Sequence, residues 1–254
     1  MSGTPRFGSA MVLFAHPDDA EFMCGGTVAR WAREGTEVHY VVVTDGSAGS
    51  NEPGVTREEL RPIREREQRA AAEVLGVRSL TFLGELDGHL EVNLDTRRKV
   101  CREVRRLRPD VIVAPDPQRL WSGTGYINHS DHKAAGALAL SAVMPDSPTR
   151  LMFPELLDEG LEPFEIPALW LVTLEPDTYV DITETMDMKL EALRRHASQG
   201  TGESEPWVRL RAKETAAEAA RVGQRMEYAE SFLAFSFNDD DDDEIPPESP
   251  MDEE

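Results

Sequence analysis

The sequence predicts an α/β fold, a mostly parallel sheet with helices on both faces. Three observations carry that expectation. Short runs rich in β-branched residues alternate with longer helical patterns along the chain. Several short runs are apolar throughout, as suits strands covered on both faces. Each helical pattern ends at a glycine or proline, the residues that most often stop a helix. Together these imply βαβ units.

In chain order, Ala10–Ala15, Val38–Thr44, Leu80–Leu83, Val111–Ala114 and Leu169–Thr173 read as strands. Helices are expected at Glu21–Glu34, Arg57–Leu75, Asp95–Arg108 and Asp131–Val143, stopped by Gly35, Gly76, Pro109 and Pro145. Pro62 marks an alternative first turn for the second helix, where proline is tolerated. Two further helices are expected near Thr185–Ala197 and Pro206–Tyr228, and no internal repeat is visible.

At 254 residues the chain is long enough to bury about 70–75% of its unfolded surface without disulfides or structural metals. Residues 1–237 are expected to form a single domain. The segment 238–254 carries ten acids and no base, which leaves −11 of the net −21 for the rest. Its lack of apolar surface predicts a disordered, solubilising tail. The acidic balance argues against a nucleic-acid partner. No apolar run approaches the 18 residues a membrane span needs, and the N-terminus lacks a signal-peptide core. A cytoplasmic protein is expected, with a homo-oligomer left open. The two cysteines, Cys24 and Cys101, exclude a disulfide framework or a Cys-rich zinc module. Cys24 has no nearby cation to activate it and reads as an inert buried thiol.

The first strand runs into His16-Pro17-Asp18-Asp19-Ala20-Glu21. Ligands of open α/β sheets bind beyond the carboxyl ends of strands, so this run sits where chemistry is expected. His16 and Asp19 are one short turn apart and suit a single metal. Asp18 points elsewhere and can reach a metal-bound water. The competing structural reading is that Asp18 or Asp19 caps the following helix.

The second cluster, Asn128-His129-Ser130-Asp131-His132, follows the strand Val111–Ala114 and its loop. One histidine from each cluster plus one aspartate makes a three-ligand set with a position open to water, as in catalytic zinc sites. Here too a structural reading competes, in which His129 and His132 only cap the helix or face solvent. His39 and His89 read as structural.

These stretches, with Gly25-Gly26-Thr27, Thr44-Asp45-Gly46, Arg64-x-x-Glu67, Leu75-Gly76-Val77, Asp87-Gly88, and Lys189 with His196-Ala197-Ser198-Gln199, resemble the LmbE/PIG-L family of metal-dependent N-deacetylases. The resemblance runs in order over roughly residues 10–200 and rests mainly on the paired HPDD and HxDH motifs. It implies a Rossmann-like fold without the GxGxxG dinucleotide fingerprint. It implies His16, Asp19 and His132 as metal ligands, Asp18 as general base, and His129 as the residue that polarises the carbonyl or stabilises the oxyanion. It also implies Arg64 and Asp87 near sugar hydroxyls. Against this, Arg64 can pair with Glu67 three residues on, and Asp87-Gly88 is an ordinary turn signal. Some members carry Tyr where this chain has Ile127, and Tyr126 is the nearest stand-in. His196 matches a recurrent family position or caps a helix C-terminus.

The implied reaction is zinc-dependent removal of an N-acetyl group from an N-acetylglucosamine-type small molecule, releasing acetate and an amine. Zn²⁺ would acidify the attacking water, and Fe(II) accepts the same two-histidine, one-carboxylate set. The alternatives are a metal-dependent amidase acting on thiol conjugates and a non-catalytic metal- or ligand-binding module. Asp18 argues against the latter, because a binding module needs no base.

Overall fold

The computed structural model describes residues 6–237; the expected acidic tail lies outside the described residues. In order the elements are β1 (Ser9–Phe14), α1 (Asp19–Glu34), β2 (Glu37–Thr44), α2 (Arg57–Leu75), β3 (Ser79–Glu85), α3 (Leu94–Leu107), β4 (Val111–Pro115), β5 (Trp121–Ser122), β6 (Tyr126–Ile127), α4 (Ser130–Ser141), α5 (Glu155–Asp158), β7 (Ala168–Val172), β8 (Thr178–Asp181), α6 (Met186–Arg194), α7 (Glu205–Arg221) and β9 (Ala229–Ser236).

Seven strands form one sheet in the order β3-β2-β1-β4-β7-β9-β8. The first five are parallel, and β9 runs antiparallel to both β7 and β8. The period-2 alternation of strand side chains splits the core in two. On one face Val12, Phe14 and Tyr40 pack with Trp31, Leu75 and Leu190. On the other Met11, Leu13 and Val41 pack with Val100, Val104 and Leu138. Helices therefore cover both faces, as the apolar strands require.

Local signals explain most element ends. Thr56 and Glu59 form a reciprocal capping box at the start of α2. That cap starts the helix at Arg57, so Pro62 lies inside α2 rather than in its first turn. Gly35 and Gly76 end α1 and α2 in the left-handed conformation. α7 stops at Arg221, short of Tyr228, and Gly223 at φ +86° turns the chain toward β9. Strands β8 and β9 and the short β5–β6 hairpin have no counterpart among the expected strands.

Two glycines let helices approach the carboxyl edge of the sheet. A Cβ on Gly136 of α4 would stand 2.3 Å from the Pro115 carbonyl oxygen, so only glycine lets α4 lie against the end of β4. A Cβ on Gly26 would fall 2.8 Å from Ile182. Gly26 follows a break in α1, where Cys24 leaves helical geometry (φ −143°, ψ 18°). The break frees backbone groups inside the protein, and these must find partners. The Glu230 carboxylate accepts the N–H groups of Gly26 and Thr27 at 3.0 and 2.7 Å. Lys189 donates to the Phe22 carbonyl at 2.8 Å and to Glu230 at 2.6 Å. Thr185 donates to the Gly26 carbonyl at 2.8 Å.

This buried ion pair replaces a turn of helix hydrogen bonding. Truncating one partner leaves the other charge buried and uncompensated, at a cost of about 3–5 kcal/mol. Glu230→Ala is therefore expected to lower the free energy of unfolding by that amount, read as a fall in the urea midpoint. A midpoint within 1 M of wild type, read with a typical slope of about 1–3 kcal/mol per molar urea, would show that the pair does not hold the break.

Candidate active site

β1 and β4 are neighbours in the sheet, so the loops after them emerge side by side at its carboxyl edge. The first loop carries His16, Asp18 and Asp19. The second leads through the β5–β6 hairpin to His129 and to His132 on α4.

His16, Asp19 and His132 converge, with one ligand atom from each within 4.8 Å of the others. Asp19 is the centre of the set: one carboxylate oxygen lies 3.3 Å from His16 Nδ1 and the other 3.0 Å from His132 Nε2. The remote ring nitrogens are held from behind. His132 Nδ1 lies 2.9 Å from Asn128 Oδ1. His16 Nε2 lies 3.2 Å from both Asp131 Oδ2 and Asp87 Oδ1. Outer partners of this kind fix the tautomer and aim the inner nitrogen, as metal sites require. Two imidazoles, one carboxylate and an outer shell of acids fit a divalent metal. A second grouping, His16, His129 and Asp131, also meets the distance condition. There, however, Asp131 is already engaged by the Gly88 N–H at 2.7 Å and by His16.

The charges respond to this crowding. Burial disfavours a positive His16, but the bonds to Asp131, Asp19 and Asp87 outweigh it and push the imidazole up to about 12. Burial likewise opposes ionisation of Asp19, while His132 and His16 hold its carboxyl well below the usual range. At Asp87 burial is outweighed by His16, and that carboxyl is also lowered.

Asp18 behaves differently. It occupies the N-cap position of α1 but makes no side-chain capping bond, which disposes of the capping reading for this residue. Its backbone is left-handed at φ 98°. Gln68 of α2 accepts its N–H at 2.9 Å, and Gln199 donates to its carboxylate and to the Pro17 carbonyl. Burial first, and then the neighbouring Asp19 charge, raise the Asp18 carboxyl to about 7. Asp19, for its part, accepts the His16 backbone N–H at 2.8 Å and so closes the loop.

His129 combines both readings made of it. It caps α4, Nδ1 accepting the Asp131 N–H at 3.2 Å, yet its ring meets His16 edge-on at 4.7 Å and lines the cavity. With Nδ1 accepting, the ring proton sits on Nε2. Burial, then the nearby His16 charge, lowers its pKa.

Two lobes open from these residues. The polar lobe, about 370 Å³, holds Arg64, Asp87, His129 and Gln199 beside His16 and Asp18. Arg64 is buried there, donating to the Gly49 carbonyl at 2.8 Å. Among the described residues it makes no ion pair with Glu67, which instead accepts from the Ser198 N–H and hydroxyl at 2.7 and 2.6 Å. Asp87 sits in its turn and also reaches His16. The wider second lobe includes Tyr126 together with Asp18, Asp19 and His132. All eight residues singled out from the sequence thus border one region.

Sequence reasoning assigned no supporting role to Gln68, Gln199, Asn128 or Asp131. Asn128 and Asp131 lie inside the second motif, and their spacing from His129 and His132 was the available signal. Gln68 sits one turn beyond Arg64 and bonds the fully buried Glu21 at 2.9 Å, a partner 47 residues away. His196, also fully buried, lies 3.4 Å from Glu21 and caps no helix end. Cys24 and Cys101 are free and buried, and burial pushes both thiols up. No helix among the described residues is long and apolar enough to cross a membrane.

A family profile described as PIG-L, GlcNAc-PI de-N-acetylase, matches residues 11–143. A diacetylchitobiose deacetylase from Thermococcus kodakarensis is 35% identical over 185 residues, covering 72% of this chain and 67% of its own. Among solved structures, an N,N'-diacetylchitobiose deacetylase from Pyrococcus horikoshii aligns with a TM-score of 0.81 at 31% identity, over 91% of this chain and 84% of its own. A 4-carboxy-2-hydroxymuconate hydratase from Pseudomonas putida aligns with a TM-score of 0.74 at 26% identity, over 89% and 95% of the two chains.

The donor set makes a direct prediction. His132→Ala is expected to lower metal occupancy sharply, measured by elemental analysis after dialysis, while far-ultraviolet circular dichroism stays that of a folded protein. Zinc is expected to raise the melting temperature of metal-free wild type and not of the variant, since a ligand stabilises only the state that binds it. Stoichiometric metal retained in both His16→Ala and His132→Ala would exclude this ligand set.

Proposed function

The chain belongs to the PIG-L family of metal-dependent de-N-acetylases, and on that premise we propose that it hydrolyses the N-acetyl group of an N-acetylglucosamine-type small molecule, releasing acetate and a free amine. The observation that carries this reading is the pairing of a three-ligand metal set with a separate carboxyl, Asp18, raised to about 7 and lining the same cavity. A binding module has no use for such a group. A general base works best when its pKa lies near the operating pH.

In this reading His16, Asp19 and His132 hold the metal. Zinc suits two imidazoles and one carboxylate with a position to spare. The bound ion supplies Lewis acidity toward the amide carbonyl and the attacking water. Asp18 takes the proton of that water through its carboxylate as the water oxygen bonds to the carbonyl carbon. His129 donates its Nε2 proton in a hydrogen bond to the oxygen on which charge develops. Asp18 then returns its proton to the nitrogen as the carbon–nitrogen bond breaks. Arg64 and Asp87 hold sugar hydroxyls in the polar lobe, one as donor and one as acceptor. Tyr126 borders the substrate on the opposite side. Residues 6–237 act as one catalytic unit around the seven-stranded sheet.

The test is acetate release from a panel of acetamido sugars by metal-loaded protein, with Asp18→Asn and Asp19→Asn compared. Asp18→Asn is expected to keep its metal and lose about 10²–10⁴-fold in kcat, the range general acid–base catalysis supplies. Asp19→Asn is expected to lose metal first. Equal metal in both variants with only Asp19→Asn inactive would exchange their roles. A panel that yields no acetate, with water added across an unsaturated acid instead, would favour a hydratase like the Pseudomonas putida neighbour.

A further inference from the structure

Three elements meet around Asp18. α1 contributes Glu21, α2 contributes Gln68, and the turn after α6 contributes His196 and Gln199. Glu21 and His196 are wholly buried. A carboxylate removed from water is costly unless it is paired and hydrogen-bonded. Glu21 is both. One oxygen accepts from Gln68 Nε2 at 2.9 Å, and the other faces His196 Nε2 at 3.4 Å. Among the described residues no other cation lies within ion-pair distance of Glu21. Burial opposes a charged His196, but the Glu21 carboxylate outweighs it and raises the imidazole pKa. The reaction proposed above gives neither residue a task.

Two arms run from this pair to Asp18. The first passes through Gln68. Its side-chain nitrogen is committed to Glu21, which leaves its oxygen to accept the Asp18 N–H at 2.9 Å. With the amide turned over, oxygen would face the carboxylate and NH2 would face an N–H, so Glu21 fixes which way Gln68 points. The second arm passes through the turn. The His196 carbonyl accepts the Gln199 N–H at 3.0 Å and the Thr201 hydroxyl at 3.3 Å, while the buried imidazole anchors the turn against Glu21. Gln199 then donates its side-chain NH2 to the Asp18 carboxylate and to the Pro17 carbonyl. One arm holds the backbone of Asp18 and the other holds its carboxylate.

We propose that His196, seated on Glu21, is a positioning residue for Asp18. The inference rests on the deacetylase reading and deepens it. Asp18 adjoins a metal-donor aspartate in sequence and has a left-handed backbone that non-glycine residues seldom adopt. Without restraint, two other arrangements are open to its carboxylate: capping α1, or joining Asp19 on the metal. Either one takes it away from the water whose proton it accepts. The pair prevents both by gripping Asp18 at two points.

The test is a double-mutant cycle on acetate release by metal-loaded protein. His196→Ala is expected to keep its metal and its KM and to lose about 10²-fold in kcat, the size of loss that a displaced catalytic group produces. His196→Gln, whose amide can still donate to Glu21, is expected to recover part of that loss. In an Asp18→Asn background, His196→Ala is expected to change kcat by less than about twofold, because the group it positions is already gone. A role in the fold alone lowers activity equally in both backgrounds, and that outcome would overturn the inference. So would an unchanged kcat in His196→Ala, or a loss confined to KM or to metal content. If circular dichroism shows that His196→Ala does not fold, Glu21→Gln carries the same comparison, since it is isosteric and removes the charge facing His196. If neither variant folds, the pair is a folding element and the inference falls, with the deacetylase reading intact. No acetate from wild type on any acetamido sugar would overturn the deacetylase reading, and this inference with it.

Discussion

The site is organised by an excess of negative charge over one imidazole. His16 touches the carboxylates of Asp19, Asp87 and Asp131, and Asp18 stands beside Asp19 in sequence and in space. Carboxylates crowded in a part-buried region cannot all remain ionised without a counter-charge. The protein answers in two ways. His16 keeps its proton far above the ordinary histidine range, and Asp18 keeps its proton up to about neutrality. A divalent cation meets the same demand with more charge in less space, so the feature that perturbs the titrations is also the one that favours a metal. The capacity to hold a metal and the raised Asp18 carboxyl are then two consequences of one arrangement.

That arrangement depends on the topology of the sheet. The order β3-β2-β1-β4-β7 places β1 between β2 and β4, and the chain departs to opposite sides from β1. Where strand order reverses, the loops leave a crevice at the carboxyl edge. The β1 loop brings His16 and Asp19 to it, the β2–α2 segment brings Gly46 and Gly49, the turn after β3 brings Asp87, and α4 brings His132. Gly136 sets how close α4 can come, one turn along from His132.

Much of this was legible in the sequence. The five parallel strands and their helices are local patterns of period 2 and 3.6, and the paired HPDD and HxDH motifs lie within a few residues each. What was not legible has partners far away in the chain. β8 and β9 are short antiparallel additions whose pairing is settled by the β7 edge. The break in α1 at Cys24 is marked locally only by the Gly25-Gly26 pair that follows it. It exists because Lys189 and Glu230, 165 and 206 residues further on, satisfy the freed backbone groups. Gln68 and Gln199 reach Asp18 from 50 and 181 residues away; Gln68 follows the Arg64-x-x-Glu67 stretch and Gln199 closes the His196–Gln199 stretch, but nothing local in either shows that it meets Asp18.

The different tasks proposed for the adjacent aspartates require the backbone to part them. Had Asp18 entered the helix conventionally, its side chain would have capped α1 and its charge would have been spent on backbone N–H groups. Its φ of 98° prevents this, because the left-handed turn swings the carboxylate away from the helix end. Such a conformation costs a non-glycine residue of order 1–3 kcal/mol and persists only where the surroundings over-determine it. Here they do. Gln68 holds the Asp18 N–H, the Asp18 carbonyl accepts the Phe22 N–H at 3.0 Å, and Asp19 bonds back to the His16 N–H. Gln199, on a turn that Ser198 ties to Glu67 of α2, meets the carboxylate itself. The strain thus falls on the one residue whose carboxylate, in the proposed reaction, stays free of both the helix and the metal, and α2 supplies the restraint that keeps it there.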